Sequence, residues 1–309
     1  MTQVSMQQVK ELRERTQAGL NDCRGALIEA SGDMDKAVDI ILKKGLAKSA
    51  KRAGAVATEG EIAARVASDN KSGILVEINI QTDFAARNDD FKAFVKNIVS
   101  LASSSPAEAE LSTLPYPGGG GSVEDVRQAL VGKLGENITL RRWSKLSSDS
   151  GLVHSYVHMG GKIGVLLALG LGDKSKASDP AVVKFADDTA MQIAAMAPLY
   201  LTMADIPADA KTRQTDIFEA QLAEEGKPAA ARPKIIEGKI VKWAKEVCLA
   251  DQVSVLETEK TIDQIRTEVS KALGTDVAIK AFVRYQLGEG IEKKKSDDFA
   301  TEVMKMSQS

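Results

Sequence analysis

The chain is poor in the side chains that most often carry chemistry. It holds two histidines and two cysteines among 309 residues. Cys23 and Cys248 lie far apart, and neither has metal-ligand spacing. That pattern speaks against a disulfide framework or a transition-metal centre and fits reduced thiols in a cytosolic protein. Aromatic residues make up 4% of the chain, too few for the stacking platforms that bind single-stranded nucleic acid. Neither sign of charge dominates: 41 Lys and Arg face 43 Asp and Glu, a formal net charge of −2. A protein that grips phosphates without sequence preference would carry a clear basic excess. No apolar run reaches membrane-spanning length, and Met1-Thr2-Gln3-Val4-Ser5 lacks the charged and apolar regions of a signal peptide. Gly-x-Ser-x-Gly, His-Glu-x-x-His and Walker sequences are all missing.

What is present is periodicity. Residues 5–44 read as three short helices. Ser5 and Gln8 form a capping box, Gly19 breaks the first helix, Gly32 ends the second and Asp33 caps the third. The basic stretch Lys43 to Gly54 reads as a solvated linker. Beyond it the chain shows a weak internal repeat. The first copy has strands near Glu61–Val66 and Ile74–Ile80, a helix over Asp90–Ala102 and a late strand at Ile138–Trp143. The second copy has strands near Leu152–His158 and Ile163–Leu169. Its helix runs from an Asp179-Pro180 cap to Met196, and its late strand is Val277–Leu287. Each copy predicts a small antiparallel sheet with helices on one face, an α+β arrangement. Asp209–Glu225 and Lys234–Leu249, joined by Gly226 to Pro233, predict an inserted antiparallel helical hairpin, either projecting into solvent or lying as two surface helices. A last short helix has room between Asp297 and Met306. The glycine runs at 118–121 and 160–161 lack a following Lys-Ser/Thr and read as loops rather than phosphate cradles.

The densest signal is Gln81-Thr82-Asp83-Phe84-Ala85-Ala86-Arg87-Asn88. Here a strand with Ile74, Val76, Ile78 and Ile80 on one face stops, and a helix with Phe91, Phe94, Val95 and Ile98 on one stripe begins. A phenylalanine at such a corner is either tucked into the core or offered to a partner. Asp83, Asp89 and Asp90 could hold a hard cation, but Asp89 stands where an N-cap is expected and Asp90 where the helix dipole favours an acid. His154 and His158 share a strand face, roughly 13 Å apart, too far to hold one metal ion together. No catalytic set emerges, and the residues alone name no partner.

Several long motifs in a fixed order resemble bacterial elongation factor Ts, the family of guanine-nucleotide exchange factors for elongation factor Tu. They are Arg15 to Leu27, Gln81-Thr82-Asp83-Phe84, Gly135-Glu136-Asn137-Ile138, Ser155-Tyr156-Val157-His158 and Gly288-Glu289-Gly290-Ile291-Glu292-Lys293. The resemblance implies a ubiquitin-associated-like helical module with its linker over residues 1–54 and a first core subdomain over 55–148. A second subdomain would span 149–208 and 251–290, interrupted by a coiled-coil hairpin over 209–250, with a C-terminal module over 291–309. It implies a cytoplasmic translation factor without bond chemistry or cofactor, binding GDP-bound and nucleotide-free Tu but neither nucleic acid nor membrane. By similarity Thr82, Asp83, Phe84 and Ala85 would act on Tu near its magnesium site, with Phe84 entering an apolar pocket. Leu20, Asn21, Asp22, Cys23, Ile138 and His158 match further contact positions. Ala85 stands where the family commonly has valine, which would trim the apolar wedge.

Overall fold

The computed structural model describes residues 4–292 apart from Gln17 and Ala53. The helix expected after Asp297 lies outside these residues. Three helices open the chain: α1 (Met6–Thr16), α2 (Leu20–Glu29) and α3 (Met34–Arg52). The predicted caps form: the Gln8 N–H donates to Ser5 Oγ at 3.2 Å, the Ser5 N–H to Gln8 Oε1 at 3.0 Å, and the Lys36 N–H to Asp33 Oδ1 at 3.1 Å. Leu12, Cys23, Ala26, Leu27 and Ala37 close a small core between the three helices. The expected linker is corrected here. Residues 43–52 continue α3, because apart from Gly45 the run Leu-Ala-Lys-Ser-Ala-Lys-Arg contains no helix breaker.

The next elements are β1 (Glu59–Val66), β2 (Ser72–Ile80), the short α4 (Asp83–Ala86), α5 (Asp89–Ser104), α6 (Val123–Leu134) and β3 (Ile138–Ser147). They are followed by β4 (Gly151–His158), β5 (Ile163–Leu171), α7 (Pro180–Met196), α8 (Ala208–Glu224), α9 (Arg232–Val247), α10 (Ile262–Leu273) and β6 (Val277–Gln286). The strands make two antiparallel sheets, ordered β1-β2-β3 and β4-β5-β6. The predicted hairpin–helix–distant-strand plan therefore holds in both halves. Helix α5 begins one residue earlier than Asp90, and its N-cap is Asn88, whose Oδ1 accepts from the Asp90 N–H at 2.9 Å. Asp89 is thus a first-turn acid rather than the cap.

The repeat extends further than its strands suggest. Helices α6 and α10 are both entered by capping boxes, Ser122 with Asp125 and Thr261 with Gln264, and both end in left-handed glycines, Gly135 and Gly274. Arg127 Nη1 donates to the Ile138 carbonyl at 2.6 Å, and Arg266 Nη1 donates to the Val277 carbonyl at 2.9 Å. Each arginine also pairs with an acid three residues earlier, Glu124 and Asp263. Cap, helix, arginine anchor and strand thus form one duplicated unit. The third strand of each sheet carries a β-bulge at the same place, with Arg141 extra opposite Glu77/Ile78 and Lys280 extra opposite Ala168/Leu169.

Each sheet buries one face under helices. Phe91, Phe94, Ile98 and Val131 cover the first, with Ile74, Ile78 and Ile138 beneath them; Val182, Phe185 and Ile193 cover the second over Val165, Leu167 and Leu169. The other faces meet each other through Ile62, Leu75, Val153, Leu166 and Tyr285. The one-sided burial expected for β2 is therefore incomplete, because the second sheet covers its other face and every residue from Gly73 to Ile80 is buried. Gly164 marks how close the sheets come. A Cβ there would stand 2.4 Å from Ile62 Cγ2 and 2.7 Å from Leu75 Cδ1.

Helices α8 and α9 run back along one another. Arg232 pairs with Glu219 at 2.9 Å near the turn, while Ile206, Ala244 and Cys248 close the base. Only Leu222, Ile236 and Ala244 are buried within the two helices.

Candidate functional site

Helix α4 is held on a built platform rather than left as a loose corner. Thr82 is its N-cap, and Thr82 Oγ1 accepts from the Ala85 N–H at 3.2 Å. The same hydroxyl donates to Glu136 Oε1 at 2.7 Å, and the Thr82 N–H donates to Glu136 Oε2 at 3.0 Å. One carboxylate therefore clamps both polar groups of the cap residue. Next to it, the Asn137 N–H donates to Gln81 Oε1 at 2.7 Å. Glu136 and Asn137 follow the left-handed Gly135 that ends α6, so the stop signal of one helix delivers the groups that hold the start of another.

On this platform Phe84 points outward, 81% exposed. Asp83 pairs with Arg87 one turn later at 2.9 Å. Ala85 and Ala86 are half-buried against the first core. A larger residue at 85 would thus press on that core as well as widen the apolar surface around Phe84. An exposed benzyl group on a short, capped helix is costly to leave in water, about 1.5–3 kcal/mol relative to burial, and its backbone is already fixed for docking.

The second sheet adds a second patch next to this one. The β4–β5 turn is stitched to β1 by the Ile62 N–H donating to the Gly161 carbonyl at 2.8 Å and by Lys162 pairing with Glu59 at 2.7 Å. This places Met159, 72% exposed, beside Phe84 on a cleft of about 780 Å³ that also takes in Glu61, Lys92 and Arg87. Burial pushes the Glu61 carboxyl above its ordinary range, opposed by the Lys92 ammonium. At the end of β4, His158 is exposed. Its Nδ1 lies 2.8 Å from Tyr156 Oη, and the two rings stack at 5.8 Å. His154 is engaged elsewhere, with Asp187 at 3.2 Å.

The remaining sequence candidates divide. Leu20 and Asn21 are exposed at the start of α2, and Asp22 is half-buried. Cys23 is fully enclosed, its thiol donating to the Ala18 carbonyl at 3.6 Å, so it builds the helical core and offers no surface. Ile138 is likewise fully enclosed under α5 and α6, which corrects its reading as a contact residue. Its carbonyl is the anchor for Arg127, and its side chain fills the first core. The N-terminal helices reach the site indirectly: α3 crosses α6 where a Cβ on Gly132 would stand 3.0 Å from Gly45 Cα. Glu136, within Gly135-Glu136-Asn137-Ile138, and Met159, directly after Ser155-Tyr156-Val157-His158, also stand at this site, although neither carries a sequence signal of its own.

Among the described residues, no group of three or more His, Cys, Asp or Glu side chains is arranged to hold a metal ion. Asp83 faces Arg87, and Asp90 pairs with Lys133 at 2.8 Å. No helix among the described residues is long and apolar enough to cross a membrane. What this surface presents is an apolar projection ringed by charge.

Comparison with known proteins gives one answer. The family model described as Elongation factor TS matches residues 81–289. The chain is 47% identical over 307 residues to Elongation factor Ts of Clostridium acetobutylicum, covering 99% of each. It is 45% identical over 301 residues to that of a Nitratiruptor species, covering 97% of this chain and 98% of the relative. To that of Clostridioides difficile it is 41% identical over 306 residues, covering 99% of each. With matches over almost its whole length, the chain belongs to the elongation factor Ts family of translation elongation factors.

Proposed function

We propose that this chain acts in the cytoplasm as the exchange factor for elongation factor Tu, binding its GDP-bound form and speeding GDP release. The observation that carries the reading is the exposed Phe84 on the capped α4. Phe84 enters an apolar pocket on the nucleotide-binding domain of Tu, and Thr82, Asp83 and Ala85 accompany it. Burying the ring recovers about 2–3 kcal/mol, enough to offset distortion of the elements that hold the partner's magnesium ion. With the metal displaced, the diphosphate charge is less well neutralised and GDP leaves faster. His158 and the exposed start of α2, Leu20 and Asn21, make secondary contacts that hold the partner in register.

Linkage fixes the direction. A factor that weakens nucleotide binding is itself weakened by nucleotide in the same ratio. Rebinding of GTP therefore expels the factor, and it turns over with no bond made or broken. The test is release of a fluorescent GDP analogue from Tu of the same organism, chased with excess GDP, with and without the wild-type factor at catalytic amounts. Acceleration supports the reading. Stable association without acceleration would make the chain a scaffold for Tu and overturn it.

A further inference from the structure

Between the two sheets the contact surface changes character along β2. Leu75 meets the second sheet through carbon, but the next two residues on that face, Glu77 and Asn79, are polar, and both are fully buried. Glu77 Oε1 accepts from Arg141 Nη1 at 2.8 Å and from the Gly288 N–H at 2.9 Å, and Oε2 accepts from Arg142 Nε at 2.6 Å. Two consecutive strand residues ordinarily point to opposite faces. They converge here because Arg141 is the extra residue of the β3 bulge, and a bulge turns neighbouring side chains toward one side.

The cluster crosses from one subdomain to the other. Arg141 donates to the Glu289 carbonyl, and Arg142 donates to the Gln286 carbonyl at 3.2 Å and stacks 4.1 Å over the Tyr285 ring. Asn79 Nδ2 donates to the Glu59 carbonyl at 3.3 Å, and Glu59 in turn pairs with Lys162 of the β4–β5 turn. The second copy has the same bulge but no such cluster. Its counterparts there are Ala168, Lys280 and Ala281. The duplicated bulge therefore does not require the ion cluster, which belongs to the first copy alone. Strand β2 ends three residues after Glu77 and delivers Gln81 to Phe84.

We propose that Glu77 is a positioning residue: its buried bridge to Arg141, Arg142 and Gly288 fixes the first subdomain, with Phe84, at a set distance from the second subdomain's docking surface around His158 and Met159. The proposal rests on the exchange reading above. A partner gripped at both surfaces gains from effective concentration, and that gain vanishes when the spacing is no longer held. Glu77 touches no partner, so its loss weakens engagement while leaving the wedge itself intact.

The experiment has two readouts. Cysteines introduced at exposed Ala93 on α5 and Val183 on α7 carry spin labels; native Cys23 and Cys248 are buried and stay unlabelled. In Glu77→Gln the distance distribution between the labels is expected to broaden or shift. In exchange assays the half-saturating factor concentration is expected to rise on the order of tenfold, with the maximal rate within about twofold of wild type. Arg142→Lys keeps the charge but loses the fork, and it asks the same question if Glu77→Gln does not fold. An unchanged distance distribution, or a half-saturation within twofold of wild type, overturns the proposal. Failure of the wild-type factor to stimulate exchange would count against the exchange reading, and the label distances would still decide whether Glu77 holds the spacing.

Discussion

Glu136→Ala removes the clamp beneath α4 without touching the surface that would dock. Two hydrogen bonds to one carboxylate are lost, from the Thr82 N–H and the Thr82 hydroxyl. Both are charge-assisted but exposed, so each contributes about 0.5–1 kcal/mol net. The cap is thus expected to lose about 1–2 kcal/mol of local order, which corresponds to about 5- to 30-fold in its ordering equilibrium. The partner must supply that ordering on binding, so kcat/KM for exchange is expected to fall within that range. Global unfolding should register at most the same loss of about 1–2 kcal/mol, because these bonds exist only in the folded chain. Glu136→Gln keeps an acceptor but not the charge and should fall between alanine and wild type. Exchange kinetics give the activity, and amide hydrogen exchange at Ala85, whose N–H bonds Thr82 Oγ1, reports the cap. If the Ala85 amide loses protection while kcat/KM stays within twofold of wild type, pre-organisation of α4 is not what the site uses.

Packing and charge set four further outcomes. Glu77→Gln should cost about 3 kcal/mol in denaturant unfolding near neutral pH, the low end for breaking a buried pair because both guanidiniums keep some solvent contact. Burial opposes the Glu77 charge, but the Gly288 N–H and the two arginines outweigh it and hold the carboxyl below its ordinary value of 4.5. The wild-type chain therefore keeps this stabilisation above the ordinary value and loses it as pH falls through the lower folded one, whereas the glutamine variant should show a flatter acid limb. Gly164→Ala should destabilise by about 1–3 kcal/mol through overpacking at the sheet–sheet contact. Gly238→Ala, on the exposed side of α9 with nothing within 4 Å, should instead stabilise by about 0.5–1 kcal/mol, and equal effects at the two sites would refute the packing argument.

The legibility of this fold followed the length scale of each interaction. Local signals read well: the Ser5–Gln8 box, the Asp179-Pro180 helix start and all six strands lie where periodicity and capping place them, with strand ends at most four residues off. Long-range contacts were hidden. Nothing in the alternation of β2 says that a second sheet covers its other face, so Glu77 and Asn79 look like solvent-facing residues until the sheets are brought together. Residues 43–52 look like a linker because their charge is plain, while the helix crossing at Gly45 and Gly132 is not. At the site, Phe84 could be singled out by its place between strand and helix, but only coordinates separate an exposed ring from a core anchor. Ile138 and Cys23 went the other way: their motifs point to contact, and their side chains are enclosed. Glu136 was obscured because its partner, Thr82, lies 54 residues away.

The central claim rests on Phe84, and stopped-flow release of a fluorescent GDP analogue from the cognate Tu at saturating factor tests it most directly. Because the ring is 81% exposed, Phe84→Ala should fold and melt like wild type. If burying the ring drives the partner's distortion, losing about 2–3 kcal/mol should slow stimulated release on the order of 30-fold or more. A Phe84→Ala protein that still stimulates release within twofold of wild type would contradict the account.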